Sequence, residues 1–302
     1  MTDDASWVPP GVGTKRANVA RVYDYWLGGS YNFRADQDAA RATAAVQPSV
    51  RLSARANRAF LGRAVRFLAA KGIRQFLDVG SGIPTEGNVH EIAQRADPGA
   101  RIVYADVDPV AVAHSRAILA GNPGAVVIEA DLREPREILQ NAAVRAMIDF
   151  DQPVGLLLVA VLHFVSDPEE PWRIVATLRD ALAPGSYLAI CHGTNDGTPV
   201  ALRAAEKVYN RSVATSVHVR PRADILAFFD GFDLVDPGLV YMPEWRPDAP
   251  QDVPEDPAKF WGLVGVGRKP EASSRFYDDV VHASVVQANA VPGLPSDGQV
   301  PA

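Results

Sequence analysis

The sequence predicts an α/β fold. Its centre is a doubly wound, mostly parallel seven-stranded sheet with an antiparallel last strand, and a helical N-terminal extension precedes it. Three observations carry this expectation. First, Gln75-Phe76-Leu77-Asp78-Val79-Gly80-Ser81-Gly82-Ile83-Pro84-Thr85 runs from a short apolar stretch through an acid to two alternate glycines, the pattern of a buried strand followed by a tight turn. Second, between residues 74 and 191 short apolar runs alternate with amphipathic stretches, as expected of a parallel sheet covered on both faces. Third, the last two strand patterns are separated by the proline-rich stretch 243–257, which suits an antiparallel edge.

The elements follow in order. Residues 1–14, with Pro9, Pro10, Gly11 and Gly13, read as a loose leader. The segment from Ala20 to Phe33 holds four aromatics between Tyr23 and Tyr31 and a Gly28-Gly29 turn, so its rings must pack on the core or on a ligand. Residues 36–45 read as a helix. Residues 48–70 read as an amphipathic helix with Leu52, Ala56, Ala59, Phe60 and Phe67 on one side and arginines on another, closed by Lys71-Gly72. Strands are expected at 74–79, 101–106, 125–130, 154–161 and 186–191, the fourth central because it is apolar throughout. Helices are expected between them at 86–95, 109–119, 136–143 and 171–182, with Pro109 suited to a first turn and Pro184-Gly185 stopping the last. Helices at 199–212 and 222–229 and strands at 231–235 and 260–266 complete the sheet. A further helix is expected at 275–288 and a disordered end at 291–302. The expected division is 1–48 as leader and lid, 49–269 as the ligand-binding domain and 270–302 as a tail.

Composition narrows the function classes. The longest apolar run, 154–162, is too short to span a membrane, and the N-terminus has no signal-like apolar run, so a cytoplasmic protein is expected. A single cysteine, Cys191, rules out an internal disulfide and cysteine-based zinc binding; its apolar setting reads as a buried small residue. The six histidines are dispersed, and no metal site is expected. Residues 1–74 carry 12 Lys/Arg against 5 Asp/Glu, whereas the whole chain has a net charge of −6. Few aromatics are interleaved with these arginines, so they are read as a solvated or internally paired helix face, and no nucleic-acid partner is argued.

In a doubly wound sheet, ligands bind beyond the carboxyl ends of the strands. Strand one ends at Asp78, followed by Gly80, Ser81 and Gly82. Strand two ends at Asp106-Val107-Asp108, strand three at Asp131-Leu132, and strand four at Ala160-Val161-Leu162-His163. A dinucleotide site wants a third glycine where Thr85 stands, and a pyrophosphate gains nothing from Asp78. The acid-first order suits a ligand bearing an ammonium group, such as the aminoacyl end of S-adenosylmethionine. Asp106 is placed to take two ribose hydroxyls, Asp131 an adenine amine, and Leu132 the ring. Asp108 is read as the N-cap of the helix at Pro109. His163 stands where a group could face a transferred methyl, as a candidate base.

The Asp78–Gly82 motif resembles motif I of class I S-adenosylmethionine-dependent methyltransferases, whose Rossmann-like sheet ends in an antiparallel strand. The resemblance covers residues 50–268. It extends to an actinomycete set called S-adenosyl methyltransferases, formerly catalogued as a domain of unknown function. The residues that carry it are Ala20-Arg21-Val22-Tyr23-Asp24-Tyr25-Trp26-Leu27-Gly28-Gly29, Arg55-Ala56-Asn57-Arg58-Ala59-Phe60-Leu61, the stretch from Ile73 to Pro84, Val103-Tyr104-Ala105-Asp106-Val107-Asp108-Pro109, Val161-Leu162-His163-Phe164 and Ala183-Pro184-Gly185-Ser186-Tyr187. It implies S-adenosylmethionine as cofactor and a small-molecule acceptor. It also implies that Tyr23, Asn32, Phe33 and Asn57 line a lid over the cofactor. Trp172, His192, Tyr209, His218 and Tyr241 are available to an acceptor pocket. The rival readings are an NAD(P)-dependent oxidoreductase and, from another class, a non-catalytic S-adenosylmethionine-binding protein that acts through a partner.

Overall fold

The computed structural model describes residues 13–84, 87–196 and 199–271, with side chains from 199 to 205 left undescribed. The expected leader up to residue 12, the helix at 275–288 and the disordered end at 291–302 lie outside the described residues.

Short apolar runs form the strands. They are β1 (Gln75–Val79), β2 (Arg101–Asp106), β3 (Ala125–Glu129), β4 (Gly155–Val159), β5 (Tyr187–Gly193), β6 (Asp233–Leu234), β7 (Val240–Tyr241) and β8 (Gly262–Arg268). The sheet order is β3-β2-β1-β4-β5-β8-β6, with β7 also pairing with β8. The first five strands are parallel, and β8 runs antiparallel to β5. The sheet has eight strands where seven were expected, because the connection from β6 to β8 adds the two-residue β7 just before the proline-rich stretch 243–257.

Alternate residues of these strands enter two cores. Leu77, Val79, Val103, Leu156 and Leu158 pack on one face, and Phe76, Ile102, Tyr104 and Leu157 on the other. Both faces are therefore dry, which explains why β4 lacks polar alternation.

The helices are α1 (Val19–Leu27), α2 (Arg34–Val46), α3 (Val50–Ala70), α4 (Val89–Ala96), α5 (Pro109–Ile118), α6 (Pro135–Gln140), α7 (Ala142–Met147), α8 (Pro171–Asp180), α9 (Pro199–Ser212) and α10 (Arg222–Ala227). The single helix expected at 136–143 is split at Asn141, whose side chain caps α7 by accepting from Ala143 N–H.

The buried stripe of α3 is Ala54, Asn57, Phe60, Leu61, Ala64, Val65 and Leu68, whereas Leu52 is 48% exposed. The expected face is thus rotated, because small residues and one amide form the wall that packs inward. Among the arginines of α3, Arg63 donates to the carbonyls of Met242 and Trp245 and Arg66 pairs with Asp248.

The aromatic N-terminal segment is α1. The Asn18 side chain caps its start by accepting from Ala20 N–H, and Gly28, in the left-handed region at φ 88°, ends it. Val22, Ala39 and Ala40 of α1 and α2 pack with Tyr209 and Val213 of α9 and its end. Ala20 packs with Ile83, Val110 and Ala111, so α1 also rests beside the glycine turn. Buried Arg21 lies between Asp36 (3.6 Å) and Asp108 (3.7 Å), joining the two helices of the extension to the start of α5. No helix among the described residues is long and apolar enough to cross a membrane.

Candidate active site

The carboxyl ends of β1 to β4 open into a cavity of about 300 Å³. Its polar wall is set by backbone geometry. Gly80 has φ 75°, and a Cβ there would sit 2.2 Å from Cγ2 of Val161, so the turn requires glycine twice over. The N–H groups of Gly80 and Ser81 donate to the carbonyl of Ala105 (2.8 and 3.3 Å), and Gly82 N–H donates to Oδ2 of Asp106 (2.7 Å). These amides bind the turn to the end of β2. A pyrophosphate cradle would need them turned to the ligand.

Asp78 and Asp106 are both buried in this wall. Burial pushes the Asp78 carboxyl up to about 7; Arg58 opposes the shift and the charge of Asp106 adds to it. Among the described residues, no hydrogen-bond donor reaches the Asp78 carboxylate. Burial also raises Asp106, to about 6, against the bonds it accepts from Asp108 N–H (2.8 Å) and Gly82 N–H. Asp108 caps α5, as expected, by accepting from Val110 N–H. Val107 is 53% exposed at the cavity rim, and Leu132 and Ala130 also line it.

Asp131 lines the cavity but is gripped by Arg133, through Nε, Nη2 and the backbone N–H. Partial burial works against ionisation of Asp131, yet those bonds outweigh it and hold the carboxyl below its ordinary value. Ala160 takes φ 61° on leaving β4, a strained value for a non-glycine residue, and β4 therefore ends at Val159 instead of 161.

The extension supplies the cavity's roof. Tyr23 donates from its hydroxyl to the Ala54 carbonyl (3.0 Å) and accepts from Asn57 Nδ2 (2.8 Å), which ties α1 to α3. Burial pushes the Tyr23 hydroxyl up to about 12, so it stays neutral. Among the described residues, Asn57 Oδ1 and Ser81 Oγ are buried in the cavity wall without a hydrogen-bond partner.

Asn32 is not part of this wall, which corrects its placement in the lid. Its Nδ2 donates to Asp24 and to the Gly29 carbonyl, and its Oδ1 accepts from Gln37, so the amide is consumed in fixing the turn between α1 and α2. Phe33 likewise packs away from the cavity, under the Arg21 guanidinium.

His163 sits in the wall within the 3₁₀ turn 162–164. Its Nδ1 accepts from Gly193 N–H (3.4 Å), which leaves the proton on Nε2. Burial, with Arg220 and His218 nearby, pushes its pKa down to about 3. The ring is therefore a neutral donor at ordinary pH and a poor proton acceptor. Arg220, itself buried, holds this turn through the carbonyls of Leu162 and Val165 and through Asp167. Cys191 also lines the cavity; burial raises its thiol to about 12.

Of the residues expected at an acceptor pocket, Tyr209 lines the cavity. Trp172 instead stacks on Phe228 and Arg220, and His192 accepts from Arg220. His218 and Tyr241 are likewise not among the lining residues.

The sequence reading missed Arg58, Trp26, Phe164, Phe260 and Trp261, all of which line the cavity. Arg58 was within reach, because it lies one residue from Asn57 on the same helix.

A family model described as S-adenosyl methyltransferase matches residues 5–270. The chain belongs to this family. Two solved structures agree with the assignment. One, from Thermobifida fusca YX, is provisionally named a methyltransferase; it is 43% identical, covers 87% of this chain and 99% of its own, and superposes with a TM-score of 0.82. The other, a DUF574-family protein from Streptomyces avermitilis MA-4680, is 38% identical, covers 85% and 99%, and also has a TM-score of 0.82. No curated protein matches.

The enzyme is thus an S-adenosylmethionine-dependent methyltransferase with a Rossmann-like fold, and its cofactor is S-adenosylmethionine. The oxidoreductase reading is overturned by the family and by the occupied amides of the glycine turn. The cavity fits the cofactor. The unpaired Asn57 Oδ1, the unpaired Ser81 Oγ and the donor-poor Asp78 carboxylate suit an aminoacyl group, which carries both donors and acceptors. Beside Gly82, at φ 67°, a Cβ would meet only open space.

Proposed function

We propose that this methyltransferase transfers a methyl group to a small organic acceptor bound in the same cavity as the cofactor. The observation that carries the reading is the cavity's division. Its walls at the ends of β1 and β2 are acidic and polar, whereas its far wall is apolar and aromatic.

Asp78, Ser81 and Asn57 would hold the aminoacyl end of S-adenosylmethionine, with Tyr23 fixing Asn57 from the roof. Asp106 would take the ribose hydroxyls while its backbone bonds keep the carboxylate aimed. Val107 and Leu132 would flank the adenine, with Asp131 at its edge. Gly80, Gly82 and Ala160 would let the ligand approach the main chain. When bound, the cofactor supplies an electrophilic methyl on a sulfonium. The protein's own part is to hold two reactants in line and keep water out. Asn32 contributes only through the turn it fixes. His163, neutral and with its proton on Nε2, would donate to the acceptor and would not take its proton.

Calorimetric titration with S-adenosylmethionine, S-adenosylhomocysteine and NAD tests this reading. Both sulfur ligands should bind and NAD should not. Asp106→Ala should weaken S-adenosylhomocysteine by about 100-fold, the usual scale for removing one partner of a buried charged hydrogen bond. Binding of NAD, or an unchanged affinity in the variant, sinks it.

A further inference from the structure

The far part of the cavity has a chemistry of its own. Trp26 from α1, Phe164 from the turn after β4, Tyr209 from α9, and Phe260 and Trp261 before β8 all line it. Three of these rings, Trp26, Tyr209 and Phe164, pack on one another. Trp26 Nε1 donates to the Ala40 carbonyl (3.2 Å), and its ring meets Tyr209 with centroids 6.1 Å apart. Phe164 stacks on Tyr209 at 6.4 Å. Trp261 takes φ 56°, while its carbonyl accepts from Thr194 N–H. A strained non-glycine residue held by its surroundings at a cavity wall is a mark of a built site.

Charge in this part is one-sided. Among the described residues that line the cavity the cations are Arg58 and Arg133, and both belong to the cofactor side. Arg58 acts on Asp78 and Tyr23, and Arg133 is paired with Asp131 and Glu169. Glu206, beside Tyr209 on α9, is the acid that lines the aromatic part. An anionic group on an acceptor would leave water for a wall of apolar rings and a carboxylate, with no cation among its described residues to meet it; such burial is costly.

We infer that the acceptor is a flat, aromatic, largely apolar molecule that carries no carboxylate, sulfate or phosphate, and that Glu206 enforces this by repulsion. The inference rests on the methyltransferase reading of the cavity and adds the substrate class to it.

A matched pair of probes tests it: 2-naphthol and 2-naphthoate, which share a ring system and differ in charge. Both are titrated into the full chain saturated with S-adenosylhomocysteine and followed by tryptophan fluorescence and calorimetry. Naphthol should bind, and naphthoate should bind at least about 10-fold more weakly. In Glu206→Gln that gap should shrink to less than about threefold, mainly through tighter naphthoate binding. Equal or tighter naphthoate binding by the unaltered chain overturns the inference, as does binding of neither probe. An unchanged gap in Glu206→Gln overturns the role of that carboxylate. Failure of S-adenosylhomocysteine to bind in the first step overturns the reading of the cavity itself, and the inference with it.

Discussion

At the polar end of the cavity Asp78, Asp106 and Ala160 stand at the carboxyl ends of β1, β2 and β4, inside one hydrogen-bonded sheet, and Asn57 of α3 joins them. At the aromatic end the lining side chains come from α1, α9, a 3₁₀ turn and the approach to β8, elements joined by side-chain packing and a few isolated backbone bonds, such as Ala214 N–H to the Ala17 carbonyl and His218 N–H to the His163 carbonyl. A parallel ladder fixes register residue by residue, so Asp78 must lie beside Tyr104 and Asp106 beside Glu129. Helices that pack on one another have no such ruler. The difference teaches that the cofactor end is held by backbone and carries buried charge, whereas the acceptor end is free to change its side chains without disturbing the sheet.

Asp78 is where the cofactor end trades stability for binding. Its carboxyl rises from 3.8 to about 7 on folding, chiefly through burial. The sign follows directly. A folded pKa above the unfolded one means that the folded chain binds the proton more tightly. This contribution is full below about pH 4 and is lost as pH climbs through 7. Asp106 acts in the same direction. The ligand-free enzyme should therefore lose stability between pH 5 and 8, and Asp78→Asn should remove on the order of 2–4 kcal/mol of that loss. The same substitution should weaken S-adenosylhomocysteine about 10-fold at pH 8, where the native carboxylate is ionised and can meet an ammonium group. Denaturant unfolding at the two pH values, with a titration at pH 8, measures both. A variant no more stable at pH 8 than the parent would mean that Asp78 bears no buried charge.

The same contrast explains what could be read in the sequence. Asp78, Gly80, Gly82, Asp106, Asp131 and Ala160 were legible because strand ends follow from alternating apolar runs and the cavity follows from strand ends. Arg58 was read only as one arginine of a solvated or internally paired face, because helical spacing gives the period of a stripe and not its phase. Leu52, expected inside and found 48% exposed, failed for the same reason. Asn32 was assigned to the ligand because its residue type suits one; that its amide would be consumed by Asp24, Gly29 and Gln37 is a property of the folded turn. Trp26, Phe164 and the pair Phe260-Trp261 sit in three segments with no shared motif, so only the tertiary structure brings them together.

His163 stands at the seam between the two ends. A true general base contributes about 10²–10⁴ in rate and leaves its pKa in the pH profile. Here burial holds the ring neutral with a pKa near 3, and Gly193 N–H occupies Nδ1. His163→Gln, which keeps a donor, should lower kcat by less than about 10-fold with an accepted substrate and leave the profile between pH 6 and 9 unchanged in shape. A loss of 100-fold or more, with a limb disappearing from the profile, would return the histidine to the role of base.

The smallest effect is expected at Asp131, and it sharpens the comparison most. Three carboxylates end three neighbouring strands, yet they differ in what already holds them. Asp78 has no described donor, Asp106 accepts two backbone N–H bonds, and Asp131 is clamped by a guanidinium that also reaches Glu169 at 3.2 Å. That ion pair is half-exposed, and such pairs contribute about 0–1 kcal/mol. An oxygen already engaged by Arg133 has little left for an adenine amine. Asp131→Asn retains one acceptor oxygen for the Arg133 backbone N–H but loses the charge and the second accepting oxygen, at a site not yet free for the cofactor, so affinity for S-adenosylhomocysteine should fall by no more than about threefold. A 10-fold loss would show that Asp131 leaves Arg133 to grip the adenine, and the cofactor end would then extend across all three strand ends instead of two.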